Sequence, residues 1–209
     1  MKVFISTILL LVMGSISAQA KYQEAMKKAF ELWGQDQPWK AANLFERISQ
    51  AESKNWIPTF YVAQINVVES FNEKDPTKLS AQLEKARVYL DRATKVSPDN
   101  PELLVLEAQM WTAWVVFDGE KYGMTYSGRI AGLYNEAARL APNNPRVVLG
   151  KAQWNMGSAR FFGQPVEGYC ADIQRAIDLF EKEPAAKNFE PRGSIKYAKE
   201  AFKQNCGKQ

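Results

Sequence analysis

The chain has 209 residues, with 27 Lys and Arg against 23 Asp and Glu and a formal net charge of +4. So slight an excess makes no electrostatic case for nucleic acid. The absence of histidine removes Ser-His-Asp and Cys-His catalysis, H-E-x-x-H metal sites and imidazole acid/base work together.

Met1 and Lys2 make a short basic start, Val3 to Met13 is a nearly continuous apolar run, and the small, polar stretch that follows ends in Ala18-Gln19-Ala20. This order predicts a cleavable secretory signal peptide over 1–20 and a mature chain beginning at Lys21, periplasmic or secreted. The apolar run is about half of the roughly 20 residues a membrane-spanning helix needs, and no cysteine follows it to carry a lipid. Residues 21–209 read as one domain: no simple-composition linker interrupts them, and 46% hydrophobic residues supply a core.

Tyr22, Ala25, Met26, Ala29 and Trp33 recur at helical spacing, and Gly34 to Pro38 ends that helix and starts a second, which carries Trp39, Ala42, Phe45 and Ile48 inward. Asn55 to Phe71 is the next helix, with Pro58 tolerated in its first turn. Asn72 to Thr77 breaks it, and Lys78 to Val96 is its partner. A third pair begins at Pro101, runs to Phe117, passes through a loop over Asp118 to Gly128, and resumes with Ile130, Leu133, Tyr134, Ala137 and Leu140. A fourth runs from Pro145 to Phe162, turns at Gly163-Gln164-Pro165, and continues with Cys170, Ile173, Ile177 and Phe180. A last amphipathic helix, Ser194 to Asn205, exposes Lys196, Lys199, Glu200 and Lys203 and has no counterpart upstream.

The turn Ser97-Pro98-Asp99-Asn100-Pro101-Glu102 returns 44 residues later as Ala141-Pro142-Asn143-Asn144-Pro145-Arg146. On that offset Leu90 aligns with Tyr134, Ala93 with Ala137, and Ala108-Gln109 with Ala152-Gln153; Ala63-Gln64 stands one period upstream. A helix-turn-helix unit repeating at such a period signifies a solenoid, in which each unit buries its apolar face only against a neighbour.

Ala86, Leu90, Ala93 and Pro98 follow the small, large, small, proline pattern of tetratricopeptide second helices; Tyr134, Ala137 and Pro142 follow it with Ile130 in place of the small residue, and Ala41, Phe45 and Ile48 follow it loosely. On these residues the chain resembles the tetratricopeptide repeat family. Its period is about ten residues longer than that family's unit, an excess expected between the helices of each pair. The resemblance implies an all-α, right-handed superhelix of about four hairpins plus a C-terminal capping helix, with the first helices lining a concave groove. The groove residues so implied are Phe30, Gln64, Gln109 and Gln153 after the small packing residue, with Met26, Trp33, Phe60, Val67, Val105, Thr112, Leu149 and Met156 around them. The Lys and Asn with which family members clamp a peptide's terminal carboxylate are missing.

The functional expectation is a non-enzymatic binding or scaffold protein that takes an apolar peptide or a partner protein in this groove. The alternative is an exported binding component for a hydrophobic solute. Burial of the groove by the end helices is the bland reading. No cofactor, metal or nucleic-acid partner is expected. Gly123 to Ile130 has P-loop glycine spacing without its lysine or a preceding strand, so a flexible hairpin loop is expected there. Cys170 shares a face with Ile173, Ile177 and Phe180, and Cys206 lies on the line of Ile195, Ala198 and Phe202; an antiparallel helix pair brings such positions together, predicting a Cys170–Cys206 disulfide in an oxidising compartment.

Overall fold

The computed structural model describes residues 19–185 and 187–207, so the expected signal peptide, apart from its last two residues, lies outside the described part. Among the described residues there are nine α-helices and no strand. They are α1 (19–34), α2 (Pro38–Ala51), α3 (Trp56–Ser70), α4 (Pro76–Val96), α5 (Pro101–Phe117), α6 (Gly119–Leu140), α7 (Pro145–Phe161), α8 (Cys170–Glu181) and α9 (Ile195–Cys206), with a short 3-10 turn before α8. No helix among them is long and apolar enough to cross a membrane.

The repeated turn works by capping. Asn100 accepts from Glu102 N and Asn144 from Arg146 N, each at 2.9 Å, and Pro101 and Pro145 occupy the first helical position, where no intrahelical N–H is needed. Asp75 and Pro76 do the same for α4, the Asp75 carboxylate accepting from Thr77 N at 2.8 Å and Lys78 N at 3.1 Å.

The loop expected over Asp118 to Gly128 is instead the first half of α6. Asp118 alone joins α5 to α6, and its carboxylate accepts from Lys121 N at 3.0 Å. Gly119, Gly123 and Gly128 lower helix propensity by roughly 1 kcal/mol each. That deficit is met across the hairpin, where Trp114 packs on Tyr122 with ring centres 5.0 Å apart and Trp111 on Tyr126 at 4.6 Å. In the α5–α6 pair the longer period is thus housed in helix, whereas 71–75 and 162–169 separate the helices of the α3–α4 and α7–α8 pairs as expected.

The helices pair as α3 with α4, α5 with α6, and α7 with α8, while α3, α5 and α7 pack side by side as the inner layer. Met26, Phe45, Ile65, Leu79 and Leu106 are the large buried residues of the N-terminal core, and Ile130 and Tyr134 continue it beneath α5 and α7. A separate cluster around Ile173, Ile177 and Ala198 joins α7, α8 and α9. On the outer side Glu107 binds α4 to α6: it accepts from Arg87 at 3.1 Å and Arg129 at 2.6 Å, and both guanidinium groups lie over Trp111, at 5.2 and 4.6 Å from the ring centre.

Cys170 and Cys206 form the expected disulfide, with Cα atoms 5.8 Å apart, and fasten the end of α9 to the start of α8. Gln153 Nε2 donates to Tyr197 Oη at 2.9 Å and Arg160 to Asn205 at 2.8 Å, contacts spanning 44 and 45 residues. By this spacing α9 occupies the place of a fifth first-helix, a correspondence the sequence reading did not find. The connection from α8 to α9 does not take a short path. It reaches back to α1 and α3, where Tyr61 Oη of α3 donates to Phe189 O at 3.0 Å and the Phe189 ring stacks on Phe30 and meets Tyr22 edge-on, both at 5.9 Å. Residues 187–194 therefore form a strap across the concave face.

Candidate functional site

Strap, α9 and the inner helices enclose a half-open cavity of about 900 Å³. Its floor is built one helix at a time: Phe60, Gln64 and Val68 from α3; Val105, Leu106, Gln109 and Thr112 from α5; Leu149, Gly150 and Gln153 from α7. Pro191 to Ser194 and Tyr197 close one side, and Gly119, Gly123 and Met124 of α6 form the opposite rim. The lining is largely apolar. Ten large hydrophobic residues are conspicuously exposed in the described structure and seven of them line this cavity, among them Met124 at 87%, Phe161 at 64%, Phe162 at 63% and Val116 at 62%. Exposed apolar surface concentrated at one mouth is the ordinary mark of a candidate binding site.

Of the groove residues implied by sequence, Phe60, Gln64, Val105, Gln109, Thr112, Leu149 and Gln153 line the cavity. Phe30 and Trp33 do not reach it; with Tyr61, Gln64, Phe189, Glu190 and Arg192 they line a smaller pocket of about 310 Å³ on the far side of the strap. Met26, Val67 and Met156 must be corrected, for they lie in the core at 0%, 0% and 2% exposure. On α3 and α7 the cause is helical phase: Val67 and Met156, three after Gln64 and Gln153, turn into the core, while Val68 and Gly157, four after, line the cavity. The phase differs on α5, where Thr112 lines the cavity and Ala113 is buried, and Met26 belongs to α1, whose Phe30 does not reach the cavity.

Polar groups are few and specific. Gln153 is engaged by Tyr197. Gln64 and Gln109 have no side-chain hydrogen bond to any described residue, and their amides face the cavity. Beside them, Arg146 bridges Glu102 and Glu183, its side chain 17% exposed. Burial alone would pull the guanidinium down, but its bonds to Glu102 and Glu183 outweigh that and hold it more firmly protonated than usual. Burial pushes the Tyr61 and Tyr134 phenols far up, so both stay neutral hydroxyls. No group of three or more Cys, Asp or Glu that would hold a metal ion occurs among the described residues.

Strap residues Phe189 and Arg192, the rim of α6 and Tyr197 were beyond sequence reasoning. The repeat assigns them no position, though Tyr122 and Tyr126, spaced to meet Trp114 and Trp111, carried a signal for the helical rim.

Among solved structures, the chain is similar to the HusA haemophore from Porphyromonas gingivalis. The TM-score is 0.79 at 18% sequence identity, over 90% of this chain and 94% of that one. No family model and no curated protein matches it. The likeness is one of fold.

Proposed function

We propose that this chain is an exported carrier that binds an apolar small molecule in the cavity between α3, α5, α7 and the strap, and performs no chemistry on it. The observation that carries this reading is the strap itself. An extended peptide requires a channel open at both ends, whereas residues 187–194 cross the concave face and leave a cavity within the roughly 300–1,000 Å³ range of small-molecule sites. The exposed apolar residues at its mouth support entry from that side. The disulfide supports an oxidising compartment, in keeping with the signal peptide expected from sequence.

The fold shared with a haemophore makes a haem-type tetrapyrrole the first ligand to try. With no histidine in the chain, such a molecule would be held by its apolar faces rather than by an imidazole on the iron. Titration of the mature protein with haem and with metal-free protoporphyrin, followed by absorbance and fluorescence, tests this: comparable affinities are expected. Binding of haem alone would argue for ligation of the iron. Binding of neither, with tight capture of an extended apolar peptide, would overturn the carrier reading.

A further inference from the structure

Leu90 and Leu106, both buried in the N-terminal core, correspond one period later to Tyr134 and Gly150. The two replacements compensate each other. A Cβ at residue 150 would lie 2.8 Å from Tyr134 Cε1 and 3.2 Å from its hydroxyl, so the larger ring is admitted because α7 gives up its side chain at that point. Were volume the only requirement, Leu and Leu would serve here as they do one unit earlier. What the exchange adds is a hydroxyl. Tyr134 is 4% exposed, its ring is held between α5 and α7, and both it and Gly150 line the cavity. That hydroxyl has no hydrogen-bond partner among the described residues and is not one of the wholly enclosed polar atoms, so on a ring that is otherwise buried it keeps access to the cavity, where an acceptor can pair with it.

Resting on the cavity being a small-molecule site, we propose that Tyr134 is its specificity-determining residue, donating a hydrogen bond to an acceptor oxygen, carbonyl or carboxylate, on an otherwise apolar ligand. Gly150 is then the window that lets ligand and hydroxyl meet. A pocket that offers a buried donor discriminates against a ligand lacking the acceptor far more sharply than a greasy pocket discriminates by size. Because the phenol stays protonated, its role is that of donor and not of anionic ligand.

The test uses two probes of the same apolar body: the naphthyl ketone prodan and its parent dimethylaminonaphthalene, which lacks the carbonyl. Tyr134→Phe should weaken binding of the ketone about tenfold and leave the parent within about twofold. The bound ketone's carbonyl stretch should lie lower in the natural protein than in the variant. The double variant Tyr134→Leu with Gly150→Leu copies the preceding unit and so should fold, and it should lose the preference for the ketone. Equal losses on both probes, or a carbonyl stretch unmoved by Tyr134→Phe, would overturn the role of Tyr134 while leaving the cavity as a binding site. Failure of the natural protein to bind either probe would overturn both.

Discussion

Glu102 and Arg146 occupy the same position in successive units, 44 residues apart, and meet as a forked ion pair: Arg146 Nε donates to Glu102 Oε1 at 2.9 Å and Nη2 to the same oxygen at 2.8 Å. Asn144 Nδ2 donates to that oxygen as well, at 2.6 Å, and the remaining guanidinium nitrogen binds Glu183 at the root of the strap. One arginine thus joins two repeat units and the segment that closes the cavity. Replacing it with Met leaves two poorly solvated carboxylates facing each other and should cost about 3 kcal/mol, whereas Glu102→Gln with Arg146→Met should recover part of that loss. Urea unfolding of both variants checks it. Equal destabilisation by the single and double variants would show that the stranded Glu102 charge is not what the loss of Arg146 costs.

Glu107 gives a prediction for pH. Burial would raise its carboxyl, but hydrogen bonds from Arg129 and Trp111 and the charges of Arg129 and Arg87 more than offset this and hold it below the ordinary value of 4.5. A carboxyl lowered in the folded state contributes stability that is fully present above the unfolded value and is lost as pH falls through the folded one. The melting temperature of the natural protein should therefore exceed that of Glu107→Gln by a constant margin from neutral pH down to about pH 5, and the margin should shrink below it. A margin independent of pH down to strongly acid conditions would remove Glu107 from the account of acid stability.

What the sequence made legible is what the repeat encodes locally. Proline, Asn and the small residues at Ala63, Ala108 and Ala152 specify caps and close helix contacts, and these act within a few residues of themselves. Helix order, the inner layer and the line of glutamines follow from them. The helical rim at Gly119 to Gly128 was hidden because glycine spacing signals a break, whereas the stabilising contacts come from Trp111 and Trp114 on the preceding helix. The strap was hidden for a different reason. Phe189 finds its partners Tyr61 and Phe30 at separations of 128 and more residues, and no periodicity announces a contact between the two ends of a solenoid.

The disulfide closes a segment with a sequence separation of 36 that contains α8, the strap and α9. Only Ala198 and Ala201 of α9 are fully buried, so its own packing anchors it weakly. Replacing both cysteines with serine should lower stability by roughly 3 to 4 kcal/mol on the chain-entropy model. Hydrogen exchange should rise first in α9 and the strap while α3 to α6 keep their protection. Uniform loss of protection across the chain would mean that the cross-link governs global folding rather than the cap alone.

The strap can be loosened at either of two points, and the pair separates its roles. At the far end, Phe189→Ala removes the ring stacked on Phe30 and set against Tyr22, and should speed release of a bound apolar fluorophore with little change in the core. At the near end, a Cβ on residue 193 would stand 2.5 Å from Cε1 and Cζ of the buried Phe180 ring and 3.1 Å from Arg146 Cγ. Gly193→Ala must then push the strap off α8 or displace Phe180, at a cost of about 1 to 3 kcal/mol. Because Arg146 and Gly193 both line the cavity, this variant should also change equilibrium affinity, where Phe189→Ala changes mainly the rate. Stopped-flow release and equilibrium titration on both variants decide the matter. If both leave the release rate and the affinity at natural values, the strap is a structural tie between the ends of the solenoid and not the wall that retains the ligand.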